Sequence, residues 1–178
     1  MVTQTPIKIS KGGTHVTGIR IRVESRMPVA RHVFWSRLTT VASLRFVCKP
    51  WIYFRYCGKR PLNDRWHEGE TFPFFLWLFK VVPLGYHSIQ LEKIDPAHYA
   101  IQSRERGSVV TTWDHLITLQ EIAPNETHYA DEVDLYAGWL TPVVAWWSTR
   151  FYEHRQRRWR TLLRQLAALQ ASDTSKVS

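Results

Sequence analysis

Hydrophobic and polar positions alternate along much of the chain, then change period near its end. His15 to Glu24 sets Val16, Ile19, Ile21 and Val23 among Arg20, Arg22 and Glu24, a strand with one wet face. Val29 to Leu38 carries Val33, Phe34 and Leu38 at helical spacing, and Val41 to Val47 continues with Val41, Leu44 and Val47. Two short helices kinked around Thr39-Thr40 fit this pattern. Trp51 to Cys57 alternates again, Gly58 to Gly69 is rich in turn residues, and Thr71 to Val82 is apolar on both faces. Pro83-Leu84-Gly85 reads as a turn, followed by Tyr86 to Ile94 with His87, Ile89 and Leu91 on one face. His98 to Arg106 and Ser108 to Ile122 form a hairpin around Gly107, and Thr127 to Ala137 follows a turn at Pro124-Asn125-Glu126.

Thr141-Pro142 then starts a helix: a hydroxyl stands at the cap and a proline where no donor is needed. No Pro or Gly interrupts the chain from there to Gln170, so one long helix is predicted. At helical periodicity Val144, Trp147, Phe151, Leu162, Leu166 and Leu169 share a face, and Arg150, Glu153, Arg157, Arg160 and Arg164 lie opposite. Arg158 projects onto the middle of the apolar stripe, with His154 and Arg155 on its margins. Residues 1–14 read as a loose lead-in, 15–170 as one domain and 171–178 as a polar tail. The expected architecture is α+β: about seven antiparallel strands curled around the terminal helix, with two short helices after the first strand.

Composition and charge narrow the function classes. The chain has 178 residues, room for a sizeable core, with nine Trp, eight Phe and seven Tyr to fill it or line a cavity. Net charge is +9 but segregated: residues 1–60 hold twelve Lys/Arg against one acid, residues 61–141 five against twelve. Basic and acidic segments can therefore face each other inside one fold, which weakens a nucleic-acid reading. Two cysteines, Cys48 and Cys57, have neither metal nor disulfide-framework spacing. The longest apolar run falls short of the roughly 20 residues of a membrane span. A cytoplasmic protein without cofactor or metal is expected. No phosphate loop, GxSxG or dinucleotide fingerprint is present.

The phrases FWSRLTTVASLRFVCKP, RWHEGETF, LFKVVPLGYHSIQLEKID, TTWDHLITL, THYADEVDLYAGWLTP and FYEHRQRRWRTLL follow in an order that resembles the START-like, SRPBCC superfamily of polyketide cyclase/dehydratase-like and lipid-transfer proteins. The resemblance spans roughly residues 15–168 and implies the helix-grip fold. It also implies a deep, mostly apolar cavity between sheet and helix that takes a hydrophobic or amphipathic small molecule.

Strand parity supplies the candidates. Trp113, His115, Ile117 and Leu119 share one face; Tyr129, Asp131, Val133 and Leu135 share another; Ile101, Ser103 and Glu105 join them as the inward set. Expected ligand-binding residues are Trp77, Ile89, Trp113, His115, Tyr129, Asp131, Trp147, Phe151, His154, Arg155 and Arg158. Two interpretations of Glu105, His115 and Asp131 near the helix arginines stand side by side. One is an internal ion-pair network, since a buried Arg needs a partner. The other is a cation that holds the carboxylate, phosphate or enolate end of a ligand whose body lies among the aromatics. A binding protein, carrier or sensor, is the leading reading. A cyclase/dehydratase-type enzyme with His115, Asp131 and Glu105 as acid/base groups is the alternative. Trp66-His67-Glu68 is expected to be a plug or lid. Nucleic-acid or acidic-partner binding through Arg150, Arg157, Arg160 and Arg164 is the third reading.

Overall fold

One antiparallel sheet of eight strands carries the architecture, in the order β1-β2-β8-β7-β6-β5-β4-β3. The structure is a computed structural model that describes the backbone of residues 1–174 and the side chains of residues 1–168. The chain runs β1 (Val2–Lys11), β2 (Thr14–Met27), α1 (Arg31–Leu38), α2 (Val41–Cys48), β3 (Ile52–Tyr56), β4 (Thr71–Leu78), β5 (Val82–Asp95), β6 (Ala100–Gly107), β7 (Thr112–Ala123), β8 (Glu126–Tyr136), a 3-10 turn at Gly138–Leu140, and α3 (Thr141–Thr174). The sheet curves around α3. This is the α+β helix-grip arrangement expected from the sequence, with one more strand.

The additional strand is β1, where a loose lead-in was expected. It pairs with β2 from Val2↔Val23 to Lys11↔Thr14. Gly12 and Gly13, at φ 56° and 81°, supply the left-handed conformations of a two-residue hairpin turn. As an edge strand lying over little core, β1 has no need of a strong apolar alternation. At the other end, α3 runs to Thr174, four residues into the predicted polar tail; residues 175–178 lie outside the described residues.

Charge segregation is resolved across β2 and β8. Arg20 faces Asp134 and Arg22 faces Glu132 in register. Arg20 grips Asp134 through two bonds of 2.6 and 2.7 Å, and Arg22 reaches Glu132 at 2.9 Å. Part of the basic N-terminal segment is thus neutralised by the acidic middle. Such exposed pairs contribute at most about 1 kcal/mol each.

Two local expectations are corrected. The turn between β4 and β5 falls at Phe79–Val81, not at Pro83-Leu84-Gly85: Val81 N–H donates to Leu78 O at 3.0 Å. Phe79 and Lys80 adopt φ 51° and 63°, left-handed conformations that their residue types do not signal. Pro83 and Gly85 remain inside β5, beside an irregularity in the β4 register at Leu76/Trp77.

The buried face of α3 is also rotated by roughly a quarter turn from the predicted stripe. Its buried face centres on Ala145, Ser148, Tyr152, Arg155, Gln156, Trp159 and Leu163, while Val144, Trp147 and Phe151 of the predicted stripe border it and face the cavity. Large residues on both sides of the helix made two phases plausible, and the sheet selected the one centred on Trp159. Trp159 meets Phe34 of α1 edge-on at 5.0 Å, and Phe34 meets Tyr129 of β8 at 5.1 Å. Gln156 Nε2 donates to Val23 O at 2.7 Å, tying α3 to β2. The β2/β8 part of the sheet packs directly on the helix, β7 reaches it through Trp113, whose Nε1–H donates to Tyr152 Oη at 3.2 Å, and β3 to β6 stand away from it.

Phe34 joins helix and sheet while lying outside the cavity wall, so Phe34→Ala is expected to destabilise the fold by about 3–5 kcal/mol. Denaturant unfolding checks this; a midpoint equal to wild type would contradict the packing described.

Candidate functional site

Where the sheet stands off from α3, a cavity of about 380 Å³ remains. Its walls are overwhelmingly apolar. Strands β3 to β7 contribute Phe54, Leu76, Leu78, Ile89, Leu91, Ile101 and Ile117, each on the concave side by strand parity. Helix α3 contributes Val144, Trp147, Phe151 and Tyr152, and the short helices contribute Leu38, Leu44 and Cys48. Trp147 stacks on Phe151 at 5.1 Å. Trp66, from the segment read as a plug or lid, forms part of the wall; its N–H is bonded to Thr39 O at 3.0 Å and its ring meets Phe72 at 4.8 Å.

A chain of polar side chains runs through the β5–β8 floor. His87 Nε2 lies 2.8 Å from Glu105 Oε2, and Ser103 Oγ donates to Glu105 Oε1 at 2.9 Å. The other face of the chain is His115, with Nδ1 3.7 Å from Glu105 and Nε2 2.9 Å from Asp131 Oδ1. Behind the wall, Tyr129 Oη and Gln156 Nε2 donate to Asp131 at 2.8 and 3.0 Å. These bonds decide the protonation states. Burial alone would raise the Glu105 carboxyl, but hydrogen bonds from His115 and His87 hold it well below the usual carboxylate range. Asp131 is held below that range against burial by the charge of Arg155 and by His115. Burial disfavours the charged form of His115, yet Asp131 and Glu105 outweigh it and raise its pKa. The Cys48 thiol, buried in the wall, is pushed up to about 12 by desolvation and is inert.

Arg155 stands apart. It is 6 % exposed and lines the cavity. Its guanidinium lies 4.9 Å from the Tyr152 ring, Nε has no hydrogen-bond partner, and no carboxylate among the described residues is within ion-pair distance. Burial opposes its charge, but the field of Asp131 keeps it firmly protonated.

Of the residues expected to bind a ligand, Ile89, Trp113, His115, Trp147, Phe151 and Arg155 line the cavity, as does Glu105. Tyr129 and Asp131 are buried behind the wall. Three lie elsewhere. Trp77 is on the outer face, paired with Tyr53 and 5.5 Å from Phe75; a strand apolar on both sides gives no parity signal. His154 stacks on Trp51 at 5.5 Å and its Nε2–H donates to Lys49 O at 2.8 Å. Arg158 lies 4.0 Å over the Phe46 ring of α2. Both displacements follow from the rotation of α3, which moves Arg155 inward and Arg158 aside. The same rotation hid Tyr152 and Gln156. His87, by contrast, alternates with Ile89 and Leu91, so its inward direction was readable. On the basic helix surface Arg150 is tied to Glu153 at 3.3 Å and Arg160 to Arg26 O at 3.3 Å, whereas Arg157 and Arg164 are exposed. Among the described residues, no three His, Cys, Asp or Glu side chains converge as metal ligands, and no helix is long and apolar enough to cross a membrane.

The polar chain predicts a two-sided pH dependence of stability. Glu105 and Asp131 have lowered folded-state pKa values, so their contribution is present above about pH 4 and is lost as pH falls through those values. His115 is raised above its ordinary 6.5, so its contribution is complete below pH 6.5 and is lost as pH rises through the folded-state value. Thermal melts across pH are expected to decline on the alkaline side, and His115→Gln to flatten that decline while lowering the melting temperature in mildly acidic buffer. An unchanged alkaline limb in the variant would assign it to another group.

Solved structures share the architecture. A START superfamily protein from Mycobacterium smegmatis superposes with a TM-score of 0.65 at 14% identity, over 83% of this chain and 98% of that one. A protein from Chromobacterium violaceum gives 0.63 at 10% identity, over 81% and 96%. A protein from Rhodobacter sphaeroides gives 0.61 at 16% identity, over 83% and 93%. At such identities the likeness establishes the START-like helix-grip fold and nothing finer. No curated protein matches the chain. The family model that does match, described as a domain of unknown function (DUF8410), covers residues 25–163, and the chain belongs to that family.

Proposed function

We propose that the protein is a carrier or sensor for an amphipathic small molecule with an apolar body and an anionic, hydrogen-bond-accepting head. The observation that carries this reading is Arg155: a buried guanidinium lining an apolar cavity, with Nε unpaired and, among the described residues, no carboxylate close enough for an ion pair. Leaving such a group without a partner is costly, and a ligand carboxylate or phosphate supplies the matching acceptors. The two nearby acids do not fill this role. Glu105 is engaged by His87 and Ser103, and Asp131 by His115, Tyr129 and Gln156. In this reading Arg155 orients the head, the rings of Phe151 and Tyr152 flank it, and the leucine and isoleucine wall of β4–β7 receives the chain.

A second reading, cyclase or dehydratase-type chemistry, draws support from the His87–Glu105 pair, which also lines the cavity. It requires an acid/base atom within about 3 Å of the substrate's reacting proton. His87, with one ring nitrogen committed to Glu105, is the group best placed to offer the other.

Arg155→Met tests the binding reading. The variant is expected to fold with a modestly lowered melting temperature, because Asp131 loses the field of Arg155 but keeps three hydrogen-bond donors. Calorimetric titration with a medium-chain fatty acid and the alcohol of equal length is expected to show preference for the acid in wild type, reduced by about tenfold or more in the variant. A variant that unfolds readily yet retains the preference would assign Arg155 to the internal network instead.

A further inference from the structure

Eleven large apolar side chains are exposed among the described residues, and eight of them fall in just three places: residues 79–86, residue 109 and residues 139–146. These segments are distant in sequence but meet at the cavity. Tyr86, Val109, Val143 and Trp146 both line it and are exposed, which makes them its rim. The β4–β5 hairpin tip forms one lip and the start of α3 the other. Trp51 bridges them, 5.9 Å from Phe79 and 6.0 Å from Trp147. Next to these lips in sequence, Val81 is 75 % exposed and Trp139 is 88 % exposed. Scattered exposed apolar residues need no explanation; a ring of them around one opening does.

The charges on the same segments have one sign. Residues 79–86, 106–112 and 137–146 contain Lys80 and Arg106 and not a single Asp or Glu. The adjoining turn adds Lys11, whose Nζ donates to Thr111 Oγ1 at 3.0 Å. An apolar rim with tryptophans and interspersed cations fits the boundary between acyl chains and anionic headgroups. A second copy of the chain fits less well, because an isologous contact through this rim would set cations against cations.

We propose that the cavity mouth docks on a lipid surface bearing anionic headgroups, with Val81, Trp139 and their neighbours inserted at the interface and Lys80 and Arg106 near the phosphates. Docking would place the opening against the bilayer, so that an apolar guest exchanges between lipid and cavity without crossing water. The proposal concerns the rim alone and stands whether or not Arg155 holds a ligand head.

The full chain is tested by flotation with vesicles of phosphatidylcholine alone and of phosphatidylcholine with phosphatidylglycerol. Partition into the anionic vesicles, a blue shift of tryptophan fluorescence and weakening by added salt are expected. Val81→Asp with Trp139→Asp, two sites outside the cavity wall, should reduce partition by about tenfold or more while leaving the far-ultraviolet spectrum unchanged. Arg155→Met should float like wild type, which separates failure of docking from failure of ligand binding. Absence of partition into either vesicle, or equal partition by the aspartate variant, would overturn the proposal. So would light scattering that shows a dimer abolished by the same two substitutions, which would assign the rim to a second copy.

Discussion

A guanidinium held in an apolar cavity without an anion is the constraint on which the site depends. Arg155 sits on the inward face of α3, between the aromatic wall and the polar floor, and the field of Asp131 keeps it charged without a bond between them. Asp131 cannot turn toward it freely, because His115, Tyr129 and Gln156 hold the carboxylate from other directions. The carboxylates of the floor have their hydrogen bonds from within it, and the Arg155 Nε above it has none among the described residues. That asymmetry favours a guest with a matching head over a purely structural network.

The fold creates this situation by dividing the labour of the sheet. Strands β2 and β8 pack on α3 and supply the rigid core around Phe34, Tyr129 and Trp159. Strands β3 to β6 curve away and their concave residues line the cavity, while β7 reaches the helix where Trp113 and His115 meet Tyr152. The short helices and the segment around Trp66 close one side, which leaves the aromatic rim as the way in. Apolar wall, fixed cation and greasy mouth are therefore consequences of one geometric choice, the curvature of the sheet about the helix.

Much of this arrangement was legible in the sequence. The alternation in Ser108–Ile122 and Thr127–Ala137 placed Trp113, His115, Tyr129 and Asp131 on the concave face, because a period of two leaves no ambiguity once one face is polar. Thr141-Pro142 marked the start of α3 for an equally local reason. What failed were cases in which local pattern carried two solutions. Thr71–Leu78 is apolar on both sides, so Trp77 could not be assigned to its outer face. The long helix carries large side chains around most of its circumference, and only contact with Phe34 and β2 selects the phase that buries Trp159 and Arg155 in place of Arg158. The edge strand β1 buries little and so lacks a hydrophobic signature, and Gly12-Gly13, which form its hairpin turn, read equally well as part of a loose lead-in. Phe79 and Lys80 gave no hint of a tight turn.

The central claim is tested most directly by a crystal structure of the protein purified from its own host without removal of bound lipids. The account predicts elongated density in the cavity between β4–β7 and α3, with its polar end within hydrogen-bond distance of the Arg155 guanidinium. A cavity closed by the sheet settling onto the helix, or a ligand whose head lies away from Arg155 while Arg155 pairs directly with Asp131, would contradict it.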